Sequence, residues 1–391
     1  MRLPILWSSI FLGTGTSSSL PHVDCLTAPA DEKQCRTCLS TLTPEGKKNI
    51  RRNTSAALRI RARNGELATV VIDVGKSFQA SAVEWFPKYG LRRIDAVLIT
   101  HAHADAMNGL DDLRGWTLNS SIQPHVDLYV SLATFKEVQR AFPYLVSKEF
   151  ASGGGDVPEF KWHIIEDRVP FEIGDTGIQI LPFAVHHGRI FSVAPPIEFV
   201  PSPNSVSPAS TNPSTPDVPG TPVRTGSGGL PTEPLKEVYP YLCFGFVIQN
   251  TITYLSDVSH IPEDVWALLQ PTPAGNNAEP VVPPVLVLDC LRLHRHTSHL
   301  SFEESVAVAR QMGAQRTYMI GFSHEVSHEE YVTLTKAVGG KVPHLEKITE
   351  VERRGLDSIG EGAPIWVRPS FDGLRVFVSE DGSVRDEEYD H

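Results

Sequence analysis

The sequence has no uninterrupted apolar run of about 18 residues, so nothing in it reads as a membrane-spanning helix. It lacks a basic surplus as well. Asp and Glu number 46 against 35 Lys and Arg, a net charge of −11 that argues against a general electrostatic grip on nucleic acid or an acidic membrane. Cysteine is scarce and odd in number. Five residues, with Cys25, Cys35 and Cys38 clustered, make a poor disulfide framework and a better metal-site or reduced-thiol pattern, which predicts a cytoplasmic or nuclear location. Cys243 and Cys290 lie in apolar runs and read as buried core. The opening MRLPILWSSIFLGTGTSSSLP imitates a secretion leader, but its short apolar run breaks into Gly13-Thr14-Gly15, so it is read as a first strand ending in a turn.

What is present is ordinary globular material: 391 residues, 41% hydrophobic and 21% charged, enough to bury a core. Strand-length apolar runs end in polar residues at Leu67 to Ile72, Ile94 to Ile99, Ile252 to Leu255, Val285 to Leu288 and Thr317 to Ile320. Ser301-Phe302-Glu303-Glu304 matches a capping box and predicts a helix running to Met312 and stopping at Gly313. Strand, helix and strand in that order predict an α/β fold. Residues 194–234 are rich in Pro, Ser, Thr and Gly and cannot bury enough apolar surface to offset their ordering entropy, so a disordered insertion is expected there. Candidate ligands fall on both sides of it, so the whole chain, 1–391, is read as one interrupted domain. A weaker Pro-rich loop runs from Pro271 to Pro284, and residues 379–391 read as a flexible, solvated acidic tail.

The run ending at Thr100 leads into His101-Ala102-His103-Ala104-Asp105. In extended chain, positions i, i+2 and i+4 project to one side, so two imidazoles and a carboxylate can converge while alanines leave room. Imidazole nitrogen and carboxylate oxygen suit zinc, and also manganese or iron(II). The three clustered cysteines need a fourth ligand to close a tetrahedron, and a closed tetrahedron is structural.

THAHADAMNGLDDLR resembles the H-x-H-x-D-H motif of the metallo-β-lactamase superfamily. Its GLDDLR continuation is similar to the branch that contains the cyclic phosphodiesterase of the carbon-phosphorus lyase pathway. Further segments agree in order: FLGTGTSSSLP, VIDVG around Asp73, HHG at 186 to 188, YLSDVS around Asp257, LDCLRLHRHTSHLS, FSHEVSHEE and FDGL. The resemblance implies an αββα sandwich of two mixed β-sheets flanked by helices. It implies that His101, His103 and His187 bind one metal, that Asp257 bridges to a second, and that Asp73 orients a ligand histidine from behind. It also implies that Cys25, Cys35, Cys38 and His324 form a structural zinc site, with His328 as the alternate fourth ligand. Two departures matter. Ala106 stands where the motif has a histidine, and Gly321 where a late strand ends in one. Both losses weaken the second ion, so one tightly held metal is expected, with a second absent, weak or completed by His299.

The expected activity is metal-dependent hydrolysis of a small cyclic or nucleotide-like phosphodiester by water activated on the ion. Asp105 would bind the ion, hold that water or act as base, and His299 would give a proton to the leaving group. His294 reads as an exposed loop residue. The alternatives are a thioester or ester hydrolase of the same fold, and a non-catalytic metal-binding scaffold with a degraded second site. Nucleic acid is disfavoured as a partner, no membrane is expected, and a homodimer is left open.

Overall fold

Residues 5–29, 34–190, 239–270, 282–341, 343 and 345–390 are those described by the computed structural model. The expected insertion at 194–234 lies outside the described residues, as do residues 271–281 of the second Pro-rich loop. Met1–Gly188 and Leu242–His391 make one compact unit. Of the second unit, Arg189–Tyr241, the described residues are the outer ends of two strands, Arg189 and Ile190 on one and Tyr239 to Tyr241 on the other.

The apolar runs form strands where they were expected. The first sheet takes β1 (Ile5–Gly13), β2 (Ser55–Arg61), β3 (Leu67–Ile72), β4 (Ala96–Leu98), β5 (Val126–Val130) and β6 (Phe160–Ile164). The second takes β7 (Phe171–Glu172), β8 (Gln179–Ile190), β9 (Tyr239–Ile248), β10 (Ile252–Leu255), β11 (Val285–Asp289), β12 (Arg316–Ile320) and β13 (Val367–Pro369). The chain then returns to the first sheet with β14 (Arg375–Ser379) and β15 (Val384–Asp386). Strand orders are β15-β14-β1-β2-β3-β4-β5-β6 and β13-β12-β11-β10-β9-β8-β7. Both sheets are mixed: β1 to β3 pair antiparallel and β3 to β6 parallel, while β9 and β10 pair antiparallel and β10 to β13 parallel.

Alternation decides which side chain goes where. Val285 and Val287 enter the core shared by the two sheets, with Phe11, Leu58, Ile72 and Tyr254. Leu286 and Leu288 point the other way, under the helices Glu263–Leu269 and Phe302–Met312. On the far side of the first sheet, Val71, Val97 and Leu128 pack beneath Phe78, Trp85 and Phe86 of the helix Phe78–Tyr89. The layers are therefore helix, sheet, sheet, helix. The helix after Ser301 starts with the expected capping box and stops at Gly313, which has φ +67°.

Parallel pairing aligns strand ends. Ile72 lies opposite Leu98, and Leu255, Leu288 and Met319 stand in one row. The residues that follow, Asp73, His101, Asp257, Asp289 and Gly321, are therefore gathered at carboxyl ends of strands, where α/β sheets keep their ligands.

The acidic C-terminus is not a solvated tail. β15 pairs with β14, and the buried Asp386 accepts hydrogen bonds from Tyr318 Oη at 2.7 Å and Arg316 Nη1 at 3.0 Å. Arg316 also pairs with Asp390 at 2.6 Å. Local charge density suggested solvation, but a half-buried cation and a buried hydroxyl on β12 give these acids partners.

Candidate metal centres

His101 and His103 follow β4 through a bend at Ala102 and His103, and the short helix Ala104–Met107 begins directly after with His103 as its N-cap, so Asp105 lies in a helix and not on the extended run expected to carry it. The segment after β3 lies against that helix so closely that a Cβ on Gly75 would sit 1.8 Å from the Asp105 carbonyl oxygen. Val74 N–H donates to Ala106 O, and Gly109 N–H to Val74 O. This lacing presents the motif to β8, which carries His187 within its regular span. The three rings meet edge to face, with centroids 4.7 Å apart for His101 and His103 and 5.0 Å from each of these to His187. One nitrogen from each ring falls within 4.8 Å of the other two.

Tautomers are set from behind the rings. His187 Nδ1–H donates to the Ser298 carbonyl at 2.6 Å, which turns Nε2 inward as an acceptor. His101 Nδ1 lies 2.8 Å from Thr100 Oγ1, and Thr100 gives both its hydroxyl and its N–H to Asp73 at 2.8 Å. Asp73, expected to orient a histidine directly, reaches His101 through Thr100. His187 Nε2 and His103 Nδ1 are 3.2 Å apart. Two nitrogens on a tetrahedral zinc at about 2.05 Å would stand about 3.3 Å apart, so the spacing fits such an ion. Protonation fits too. Burial depresses all three rings, His187 to about 3 with the charges of His299 and His103 adding to the effect, so the rings are neutral as ligands must be.

Around these rings stand three acids. Asp257, with φ +33°, follows β10; burial first, then Asp105 and Asp289, push its carboxyl up to about 7 against the opposing charge of His299. Such crowding of buried carboxylates is relieved by a cation. Asp105 Oδ1 is buried with no hydrogen-bond partner among the described residues. His187, Asp257 and His299 form a second group within 4.8 Å, with His299 Nδ1 3.7 Å from Asp257. Asp105 falls in neither group. His294 and His296 are exposed.

Asp289, at the end of β11, escaped the sequence reading. Its Oδ2 accepts from His299 Nδ1 at 3.0 Å and from Leu300 N–H at 3.2 Å. Its Oδ1 occupies the side-chain space of Gly321: a Cβ built there would stand 2.4 Å away, at a backbone φ of +80°. The position without its histidine is thus filled by a carboxylate that steers His299. The signal that could have found it is its place, one strand over from Asp257 at the same kind of strand end. Thr100 and the Ser298 carbonyl were missed too, and a backbone acceptor has no residue-type signature. Cys243, read as core, lies 3.7 Å from His101 Nδ1 and so forms part of the wall.

The structure also brings together Cys25, Cys35, Cys38 and His324. His324 Nδ1 lies 3.2 Å from Cys25 Sγ and 3.7 Å from both Cys35 and Cys38 Sγ. A sulfur and a nitrogen on a tetrahedral zinc would be about 3.6 Å apart. Burial, then hydrogen bonds and charges of Cys38 and Cys35, raise the Cys25 thiol to about 12, and burial raises Cys38. A cation removes that penalty, so the donor set fits a metal. His328 is not part of it: it is buried four residues on, its Nε2 3.3 Å from the Tyr389 hydroxyl.

A model of the beta-lactamase superfamily domain matches residues 68–196 and 205–322. The chain belongs to the metallo-β-lactamase superfamily. A crystal structure titled as a new diphosphatase from the PhnP family has this metallo-β-lactamase fold at TM-score 0.57 and 19% identity, covering 94% of this chain and 96% of that one. Zinc-bound PqqB from Methylobacterium extorquens follows at TM-score 0.55 and 14% identity, covering 94% and 99%. At such identities the likeness is one of fold. A curated octanoyltransferase of Porphyromonas gingivalis is 29% identical over 183 residues, 46% of this chain and 31% of that protein, so the chain spans about a third of its length. No described helix is long and apolar enough to cross a membrane.

Proposed function

We propose that this superfamily member hydrolyses a small phosphodiester, cyclic or nucleotide-like, at the His101–His103–His187 cluster. The observation that carries the reading is that three neutral imidazoles, two of them with fixed tautomers, meet beside Asp105 and Asp257, next to a histidine held by its own carboxylate. Zinc suits this donor set, and manganese or iron(II) would also be accepted. Such an ion lowers the pKa of a coordinated water towards ~7 and polarises the oxygen under attack. The residues supply the rest. Asp105, whose buried Oδ1 has no hydrogen-bond partner among the described residues, takes the proton of the attacking water or holds it in line. His299 gives a proton to the leaving oxygen, because Asp289 and Asp257 raise its ring to about 9 against the effect of burial. Asp257 stands at the edge of the set, where a second ion would share it. With Ala106 and Gly321 in place of histidines, His299 is the one imidazole left there, so a single tightly held ion is the proposal.

Cys25, Cys35, Cys38 and His324 are proposed to hold a separate, structural zinc. Five free cysteines support a reducing compartment, cytoplasm or nucleus. Hydrolysis of bis-p-nitrophenyl phosphate with added zinc or manganese, comparing the native chain with His103→Ala, tests the activity. Metal-dependent turnover lost in the variant is expected, and no turnover on any phosphodiester would sink the proposal. Two stoichiometric ions at the histidine centre would sink the single-ion part.

A further inference from the structure

Arg51 is one of the largest fully buried side chains of the fold, 1% exposed. Arginine is almost never fully buried unless paired. Yet among the described residues no carboxylate lies within ion-pair distance of it. Its partners are neutral: Nη1 donates to the Ser323 carbonyl, and Nη2 to the Val326 carbonyl at 2.9 Å and to Asn49 Oδ1 at 3.4 Å. The guanidinium lies 5.2 Å from the Phe322 ring centroid and 5.9 Å from that of Tyr331. Carbonyls and rings satisfy the N–H groups and soften the desolvation. They leave the charge itself uncompensated.

Two features say what compensates it. Ser323 and Val326 bracket His324, so the guanidinium holds both sides of the segment that carries the fourth ligand of the cysteine cluster. Cys38 is one of four acids whose field acts on Arg51, with Tyr331, Asp372 and Glu329. Burial keeps the Tyr331 hydroxyl protonated and pushes Asp372 up to about 7, and Glu329 is exposed to solvent. Three thiolates and a neutral imidazole around a divalent ion leave one negative charge, on a half-buried cluster whose Cys38 is fully buried.

We propose that Arg51 is the positioning residue and countercharge of the Cys25–Cys35–Cys38–His324 site: its guanidinium clamps the Ser323–Val326 segment and neutralises the single negative charge of the metal-loaded cluster. The proposal rests on the reading of that cluster as a metal site. It explains why a guanidinium is used. A fork of donors spans two carbonyls and keeps its charge at any pH, which an ammonium does less well.

The full chain loaded with cobalt(II) separates the two claims, because thiolate-to-cobalt charge-transfer absorption reports the cysteine cluster and not the histidine centre. Absence of that band in the native chain overturns the metal-site reading and the proposal with it. With the band present, chelator titration should release cobalt from Arg51→Met at an affinity about 10- to 100-fold lower than native. Asp372→Asn should hold it as the native chain does. Native affinity in Arg51→Met, or an equal loss in Asp372→Asn, overturns the proposal while the metal-site reading stands. Should Arg51→Met fail to fold, the ligand side gives the same answer. Cys25→Asp keeps the loaded cluster at one negative charge and Cys25→His brings it to zero. Although imidazole is the better borderline ligand, the cobalt-loaded Cys25→Asp protein should melt above the loaded Cys25→His protein, and the reverse order overturns the countercharge.

Discussion

Replacing Gly321 by alanine tests whether a carboxylate has taken over the space of a lost ligand. The methyl group would stand 2.4 Å from Asp289 Oδ1, against an ordinary contact of 3.4 Å or more, so the carboxylate must retreat by about 1 Å. The backbone, at φ +80°, adds about 1–2 kcal/mol for a residue with a Cβ in the left-handed region. Retreat stretches the 3.0 Å bond to His299 and the 3.2 Å bond to Leu300 N–H, and loss of one charge-assisted hydrogen bond costs about 1.5–3 kcal/mol. Urea unfolding should therefore show Gly321→Ala destabilised by about 3–5 kcal/mol. Turnover of bis-p-nitrophenyl phosphate should fall on the order of 100-fold, because His299 is misplaced by a comparable distance. In an Asp289→Ala background the steric part vanishes and only the backbone cost of about 1–2 kcal/mol should remain. A Gly321→Ala protein within about 0.5 kcal/mol of native with unchanged turnover would refute the assignment. So would additivity of the two substitutions.

His328 offers a pH test away from the histidine centre. Burial, with Arg51 and Lys48 adding to it, depresses its ring to about 3, whereas an unfolded histidine titrates near 6.5. Between those values the unfolded chain binds the extra proton, so stability rises with pH across the window and is lost on acidification below about 6.5. At pH 5 the loss assigned to this residue is about 2 kcal/mol, and His328→Gln should remove that part of the slope between pH 5 and 7 in paired urea titrations; an unchanged slope would count against burial of a neutral ring. The C-terminal acids can be tested through Asp386→Ala, which strips buried partners from Tyr318 and Arg316. A loss of about 3 kcal/mol is expected by thermal or urea unfolding, where a solvated tail predicts a change within about 0.5 kcal/mol.

Most of the architecture could be read in the chain because its strands are period-two or continuous apolar runs with a polar stop, and because Ser301 and Glu304 carry a helix start in four residues. The histidine centre was legible in part: H-x-H after a strand marked His101 and His103, but Asp105 lies in the helix Ala104–Met107 and falls outside both histidine groups, which extended-chain spacing did not foresee. What stayed hidden depends on distant contacts. Asp289 looks like any strand-end acid until Gly321 is seen to leave it room. Thr100 looks like a β-branched residue in a strand until its hydroxyl is found between Asp73 and His101. Arg51 sits in the basic run KKNIRRN, where nothing in the sequence marks it for burial. Only the fold shows that it is swallowed between Phe322, Tyr331 and two carbonyls. The acidic C-terminus was misread by the same logic in reverse, since Arg316 and Tyr318 lie some 70 residues away in sequence. Residue type sets where a charge is ordinarily found, and tertiary pairing overrides it wherever a partner of opposite sign is buried nearby. The C-terminal acids and Arg51 share that cause. Each sits beside a group that could not be buried without it, so a charged residue in this chain is best judged by which distant partner would be stranded if it were removed.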